Sequence, residues 1–452
     1  MRARRVSLLF VSLALACPRW SEAEVLTLAD AIVYARGHHP AIVEADALRL
    51  GATAQAGTAL AAYLPSLDLS VLGRYDYSDF NPVVVGTPSA TTPALNGTAS
   101  YPFSGSARYY ASLSFTQLIV DGGGTLAQLA AARASAIAAN ATLEARRLAV
   151  EGAVVAAYFA VLEAKMLVAV NVEYEARTTE LVRSVRSLVK GGVRPEVDAL
   201  SAEVRHQRAG IDRLRLENVL EQRRIALVAA MGLDRDDGAP LVEALVSPLP
   251  EESVGLDELT RRAFDSRQEL VQLRAEVTAA TARVSGSRSD YFPTISLGLT
   301  GLLTGTNDVP GPLYSLFGYV ALKDNLFGGL ATYRAMQNAR AQRDAAQARL
   351  LQSRTQIRSA VASARSTLRT ATEVLDKSRV LVEQTERAVA SAQRRYDIGL
   401  LSFLELIDLY AQRVAARTAE VQARYALAAA RADLLRSVGG TLSARAVLGD
   451  TP

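Results

Sequence analysis

The 452-residue chain has a single cysteine, Cys17. Without a second thiol it cannot form an internal disulfide, and it has no cysteine cluster to hold a zinc ion. The three histidines, His38, His39 and His206, do not have zinc-binding spacing, and the segment 121–124 lacks the lysine of a phosphate-binding loop. We therefore predict no catalytic site, no metal site and no cofactor.

Aromatic residues make up only 6% of the chain, and proline is absent from residues 103–194 and 313–451. Because an interior proline costs a helix about 3 kcal/mol, both stretches can form very long helices. Apolar residues recur at intervals of three and four over 125–190 and 332–398, which predicts a helix in each. A glycine turn and a second helix follow each of them, so we predict two helical hairpins.

Blocks of like charge are also missing. The net charge is +4, and acidic and basic residues are interleaved, so we predict no nucleic-acid partner. Beyond the first residues, no run reaches the roughly 18 apolar residues of a membrane-spanning helix. Any membrane contact therefore requires another architecture.

The first 23 residues have the pattern of a secretory signal peptide. A basic start precedes an apolar core at residues 6–16, and Ala23 ends a small-x-small cleavage site. The alternative is lipidation at Cys17, for which the preceding residues form an imperfect lipobox. Both alternatives predict export.

The sequence repeats itself. Gly122 matches Gly329 and Gly192 matches Gly399 at the same offset of 207 residues, and Pro65 matches Pro293 at an offset of 228. The first copy therefore carries an insertion, which we place at 81–105. We predict a first structural repeat at 24–239, a linker at 240–255, a second repeat at 256–439 and a C-terminal tail at 440–452.

After each repeated proline the hydrophobic period changes from that of a helix to that of a strand. The apolar positions are Leu67, Leu69 and Val71 in the first repeat, and Ile295, Leu297 and Leu299 in the second. A returning strand carries Tyr109, Ala111, Leu113 and Phe115 on one face in the first repeat, and Phe317, Tyr319 and Ala321 in the second. Each predicted strand has about ten residues, the length of a tilted strand that crosses a bilayer.

An open four-stranded sheet cannot span a membrane, because the backbone groups at its edges would lack partners in hydrocarbon. We therefore predict a mostly α-helical fold with a membrane β-barrel portion, in which several chains contribute four strands each and the helical hairpins form a periplasmic tunnel. Two, three or four chains would give 8, 12 or 16 strands. The alternative is an exported soluble coiled-coil scaffold of the periplasm, in which the strands form a small soluble sheet.

This combination is similar to the TolC family of outer-membrane efflux proteins. The resemblance rests on the helix-to-strand entries at 63–65 and 291–293, on VDGGG at 120–124 and FGGLAT at 327–332, and on YDIGLLSFLELID at 396–408. It implies a homotrimer with a twelve-stranded barrel in the outer membrane of a Gram-negative bacterium. Such a protein is the passive exit duct for substrate that an inner-membrane transporter delivers through a periplasmic adaptor protein.

The resemblance also places a gate at the tip of the tunnel. Glu405 and Asp408 are three residues apart, hence on one helix face, and a trimer would gather six carboxylates in a ring that favours cations. The alternative is an ordinary solvated helical face.

Further gate residues follow from the same resemblance. Tyr396 and Asp198 match positions that tie neighbouring hairpins together when the family's gate is shut. The family's latch arginine is replaced here by Leu401, and Arg194 lies 207 residues earlier, at the repeat-equivalent place. We therefore expect Arg194 to supply the basic partner from the other hairpin, the alternative being an exposed surface arginine.

The glycine turns resemble the family's adaptor-docking tips. The matching residues are Gly192, Val193, Ile398, Gly399 and Leu400. The alternative is that these residues only make tight turns.

Overall fold

The computed structural model describes residues 25–78, 104–235, 238–243, 245–306, 311–441 and 447–448. The predicted signal peptide with Cys17 and most of the insertion at 81–105 lie outside these residues. The chain divides into two compact units. Unit 1 comprises residues 1–47, 141–271 and 351–452, and unit 2 comprises residues 48–140 and 272–350.

Eight α-helices account for most of the described residues. They are α1 (Leu28–His38), α2 (Pro40–Ala61), α3 (Gly124–Lys190), α4 (Glu196–Met231), α5 (Leu256–Ser266), α6 (Gln268–Ser289), α7 (Ala331–Asp397) and α8 (Phe403–Ser437). Helices α3 and α7 have 67 residues each, so each is about 100 Å long. Their bounds lie within one residue of the predicted ones, which confirms the long helical hairpins.

The described residues also contain six strands. They are β1 (Ser66–Ser78), β2 (Ser104–Val120), β3 (Leu245–Val246), β4 (Thr294–Thr306), β5 (Leu313–Lys323) and β6 (Val447–Leu448). In unit 2, four of them form an antiparallel sheet in the order β1, β2, β4, β5. One apolar row crosses this sheet, because Leu69 pairs with Leu113, Leu113 with Gly301 and Gly301 with Leu316. The mostly helical fold with four longer strands is as predicted.

The face of the last of these strands differs from the prediction. The sequence places three residues of β5 on the apolar face, namely Phe317, Tyr319 and Ala321. In the structure Phe317 pairs with Thr300 and Tyr319 with Gly298, on the opposite face, because a shift of one residue moves every side chain of a strand to the other side. A side chain at Gly298 would collide with the Tyr319 ring, so the glycine makes room for it. The apolar face carries Leu316, Val320 and Leu322 instead, all highly exposed in the single chain.

Unit 1 is built around the middle of α3. The buried side chains of this helix include Val154, Val155, Tyr158, Phe159 and Leu162, which share one broad face of the helix. They pack with residues of α1, α4, α8 and the β3 segment. The Tyr158 hydroxyl lies 3.0 Å from the Leu26 carbonyl oxygen and 2.8 Å from that of Val242, so it holds two chain segments to the helix.

The same segment of α3 corrects one sequence prediction. Within the described residues, α3 is the one helix that is long and apolar enough to cross a membrane by length and composition alone. Its apolar residues lie in the core of unit 1, where Glu151 accepts a hydrogen bond from Arg36 at 2.5 Å. A helix that packs a broad face into a protein core passes the same test of length and apolar composition as a membrane span.

Ion pairs fix the order of the long helices in unit 1. Arg213 of α4 pairs with Glu175 of α3, 2.7 Å apart. Arg417 of α8 pairs with Glu173 of α3 at 2.5 Å and with Glu386 of α7 at 2.7 Å. These ion pairs therefore link α4 to α3, α3 to α8 and α8 to α7.

Candidate functional site

The two glycine turns of unit 1 have the same backbone geometry. The Gly192 N–H donates to the Val189 carbonyl and the Val193 N–H to the Leu188 carbonyl, both at 3.0 Å. At the other turn the Gly399 N–H donates to Tyr396 at 3.0 Å and the Leu400 N–H to Arg395 at 2.8 Å. This is the Schellman arrangement, in which the first residue after the helix adopts a left-handed conformation that favours glycine. The φ angles of Gly192 and Gly399, 71° and 78°, fit this requirement.

Arg194 joins the two hairpins. Its Nη2 donates to the carbonyl oxygens of Tyr396 at 3.2 Å and Leu401 at 3.4 Å. Its guanidinium carbon also lies 4.5 Å from the centre of the Tyr396 ring, within cation–π distance. Arg194 thus satisfies carbonyl oxygens at the end of α7 and in the turn that follows it, and it stacks on an aromatic ring of α7.

Tyr396 is the buried centre of the site. It is 2% exposed, and its ring lies 6.0 Å from that of Phe403. Burial raises the pKa of its hydroxyl, Arg194 lowers it, and the carboxylates of Asp198 and Asp397 raise it again. Within the described part of the chain this hydroxyl has no hydrogen-bond partner, so Asp198 is close enough to act through its charge but does not bond to it.

Glu405 and Asp408 lie on the exposed face of α8. Glu405 takes part in a capping box at the start of the helix, where its Oε2 accepts from the Ser402 N–H at 3.1 Å and from the Ser402 hydroxyl at 2.9 Å. Asp408 accepts from Gln412 at 2.7 Å. Both carboxylates remain exposed, so helix capping and a role in a charged ring are compatible for Glu405.

Apolar side chains surround the turns without cover in the single chain. Val193 is 68% exposed, Ile398 70% and Leu400 75%, and Leu404 next to the capping box is 72% exposed. Exposed apolar residues that cluster on one surface commonly mark an interaction site.

A buried cluster behind the turns was not predicted. It joins residues of four helices, namely Val182 and Val185 of α3, Ala199 and Ala202 of α4, Ala392 and Tyr396 of α7, and Phe403, Leu406 and Ile407 of α8. Beside it, Tyr410 donates a hydrogen bond to Gln393 at 3.0 Å. The heptad spacing of the apolar residues indicates that each helix packs against another, but it does not indicate which helices meet.

Comparisons with known proteins agree with this fold. The sequence matches the family described as outer membrane efflux protein over residues 31–233 and 259–440. Protein CyaE of Bordetella pertussis is 27% identical over 451 residues, which cover 94% of this chain and 86% of that protein.

Solved structures show the same fold. The outer membrane protein VceC of Vibrio cholerae matches with a TM-score of 0.76 at 19% identity, over 92% of this chain and 97% of that one. The CmeC outer membrane channel of Campylobacter jejuni matches with a TM-score of 0.76 at 18% identity, over 92% of this chain and 86% of that one.

Proposed function

Since this chain belongs to the outer membrane efflux protein family, we propose that it forms the exit duct of a tripartite efflux or type I secretion system. It lies in the outer membrane of a Gram-negative bacterium with a large periplasmic portion, and it passively conducts substrate delivered by an inner-membrane pump. The family and the fold are those of channel proteins rather than enzymes. The soluble periplasmic scaffold does not fit this family.

The observation that carries the function is the family match over both halves of the chain, joined to the four-stranded sheet. The sheet ends on β1 and β5, and among the described residues neither of these strands has a second neighbour. Leu67, Leu69 and Val71 of β1 are 67–72% exposed, as suits a surface against outer-membrane lipid. Further copies of the chain must complete the barrel, and we propose a homotrimer with twelve strands.

The gate lies at the turns of unit 1 in this proposal. Glu405 and Asp408, exposed on one face of α8, form the acidic ring of the trimer, and Asp198 and Tyr396 tie the hairpins in the closed state. The bonds of Arg194 to the second hairpin support its role as the basic tie. The exposed residues Val193, Ile398 and Leu400, set by Gly192 and Gly399, form the docking tips for a periplasmic adaptor protein.

The proposal includes two structural repeats, at 24–239 and 256–439, with a linker between them and a tail after the second. It also includes the processing of the N-terminus, either by cleavage after Ala23 or by lipidation at Cys17. The matched turn geometry of Gly192 and Gly399 supports the division into repeats. A mass spectrum of the mature N-terminus distinguishes a free Glu24 from an acylated Cys17.

The first test is location. We expect density fractionation of a Gram-negative host that expresses the full chain to place the protein in the outer membrane as a detergent-stable oligomer. Recovery as a soluble periplasmic protein would refute the duct.

The gate is tested by conductance. The double variant Glu405→Gln/Asp408→Asn should lower cation selectivity in planar bilayers, whereas Glu196→Gln, an exposed acid in the first turn of α4, should leave it unchanged. Arg194→Ala should raise the conductance of the closed state, with Arg183→Ala, an exposed arginine of α3, as its control. If a variant and its control change the selectivity or the conductance equally, the substituted residues are not part of the gate.

A further inference from the structure

A cavity of about 440 Å³ lies in unit 1 beside the middle of α7. Its walls come from α7, from the last turn of α8 and from the segment that leads into α5. It is separate from the glycine turns, because Arg369, at its rim, lies about 42 Å along α7 from the last residue of that helix. The gate and the docking tips therefore do not use this cavity.

The floor of the cavity is apolar. Leu434 and Leu368 are buried, at 0% and 5% exposure, and Leu256 and Ala362 are half-buried. Sites for small organic molecules have this character, with an apolar lining and a few polar groups that fix the orientation of the ligand. A bare inorganic ion would gain nothing from such a floor, whereas an apolar ligand body would be removed from water there.

Two unpaired arginines line the cavity from α7. Arg365 and Arg369 are one helical turn apart, and both are exposed. Neither has an ion-pair partner within the described part of the chain, whereas Arg387 of the same helix pairs with Glu383. Residues 345–372 of α7 include five arginines and no acidic residue. No carboxylate of this stretch therefore competes for the two guanidinium groups.

The carboxylates that line the cavity restrict where an anion can bind. Glu252 accepts from the Arg431 Nε at 2.8 Å and from the Leu249 N–H at 2.7 Å, so its charge is already balanced. Glu373 lies one helical turn beyond Arg369 and would repel an anion at that end. The place for a negative group is therefore on the side of Arg369 that faces away from Glu373.

The equivalent place in the first repeat is filled by the chain itself. At the offset of 207 residues, Arg365 corresponds to Tyr158, whose hydroxyl donates to the carbonyl oxygens of Leu26 and Val242. Two chain segments thus cover the aromatic residue of the first repeat. The second repeat has an open cavity and an unpaired cation at the same site, which leaves room for a ligand.

We propose that this cavity binds a small amphipathic organic anion, with its carboxylate, sulfonate or phosphate group between Arg365 and Arg369 and its apolar body on the leucine floor. Guanidinium groups suit such oxyanions, because their N–H donors form paired, charge-assisted hydrogen bonds. The exposed hydroxyl of Ser366, which also lines the cavity, supplies a further donor. The site is distinct from the conducting path of the proposed duct.

Calorimetric titration of the full-chain oligomer in phosphatidylcholine nanodiscs tests the site. Naphthalene-2-sulfonate, an apolar body with one anionic group, should bind once per chain. Naphthalene-2-sulfonamide has the same body without the charge and should bind at least about tenfold more weakly, because the charge-assisted hydrogen bonds are lost. Inorganic sulfate, which lacks the apolar body, should also bind at least about tenfold more weakly. Equal binding of the sulfonate and the sulfonamide would overturn the proposal.

Substitution of the two arginines locates the binding. Arg365→Gln/Arg369→Gln should weaken the binding of naphthalene-2-sulfonate at least about tenfold and leave that of the sulfonamide unchanged. The matched control Arg379→Gln/Arg387→Gln removes two exposed arginines of α7 outside the cavity and should leave both affinities unchanged. Sulfonate binding that persists in the first variant, or that falls equally in the control, would show that the cavity is not the site.

Filling the cavity gives a second test that keeps both arginines. Ala362→Phe places a ring over the leucine floor and should abolish the binding of naphthalene-2-sulfonate. Its unfolding temperature and its detergent-stable oligomer show whether the variant is folded. A folded Ala362→Phe oligomer that binds the sulfonate as the unsubstituted chain does would overturn the proposal. Failure of this site leaves the duct standing, since the duct is tested by conductance.

Discussion

Helices α3 and α7 have the same length and end in the same type of turn, yet they meet different surroundings. At the repeat-equivalent positions, Tyr158 and Leu162 of α3 are at most 2% exposed, whereas Arg365 and Arg369 of α7 are exposed. Helix α3 forms ion pairs with both α4 and α8 and carries the buried core of unit 1, whereas α7 forms an ion pair with α8. The segments that pack around a helix therefore decide whether the same site carries an aromatic residue or an arginine.

The largest effect should come from exchanging residues between these two sites. Tyr158→Arg places an unpaired charge in the core of unit 1 and should cost more than about 4 kcal/mol of unfolding free energy. The reverse exchange, Arg365→Tyr, should change it by less than about 0.5 kcal/mol, because the site is exposed. Thermal unfolding followed by circular dichroism measures both. Similar losses would mean that the two helices are buried alike.

A second pair concerns charge. Glu151 is 5% exposed and bonds to Arg36, and its equivalent in the second repeat is Arg358, which is exposed and without an ion pair in the described chain. Glu151→Ala should cost about 1–3 kcal/mol, because a partly buried ion pair is lost. Arg358→Ala should leave the unfolding temperature nearly unchanged. A large drop in the unfolding temperature of Arg358→Ala would contradict the exposed position of Arg358.

A third pair concerns buried hydroxyls. Tyr158→Phe removes the hydroxyl that faces two carbonyl groups and should cost about 1–2 kcal/mol. The Tyr425 hydroxyl is buried and without a partner in the described residues, so Tyr425→Phe should cost nothing or raise stability by about 1 kcal/mol. Chemical denaturation at neutral pH gives both values, and a loss at Tyr425 equal to that at Tyr158 would contradict the assignment.

The same variant changes the response to high pH. Burial, followed by the charge of Glu243, raises the pKa of Tyr425 to about 12, against about 10 in an unfolded chain. Between these values the unfolded state loses its proton first, so this contribution to stability is complete below pH 10 and declines above it. The decline should be shallower in Tyr425→Phe, and identical slopes would exclude this group as the cause.

The smallest loss of unfolding free energy should be the same for the glycine turns of the two repeats. Gly192→Ala and Gly399→Ala each force a side chain into a left-handed conformation and should cost about 1 kcal/mol. The adjacent Gly191→Ala is the control, since its φ is not positive. Unequal losses at Gly192 and Gly399 would show that the turns are not equivalent.

Periodicity and glycine positions were enough to predict the long helices to within one residue, because helix geometry is local. The prediction of which residues of β5 lie on the apolar face was wrong, because that face depends on the packing of the Tyr319 ring over Gly298 of the neighbouring strand. The resemblance pointed to Arg194, but its bonds to Tyr396 and Leu401 depend on how two hairpins distant in sequence meet. Nothing in the sequence indicated that Tyr396 is the buried centre of the turn region.

The most direct test of the duct is conductance. The purified detergent-stable oligomer, inserted into a planar lipid bilayer at constant voltage, should produce discrete and reproducible steps in current. A correctly folded outer-membrane oligomer that inserts but never carries current, including with the Arg194→Ala substitution that should loosen the gate, would contradict the duct.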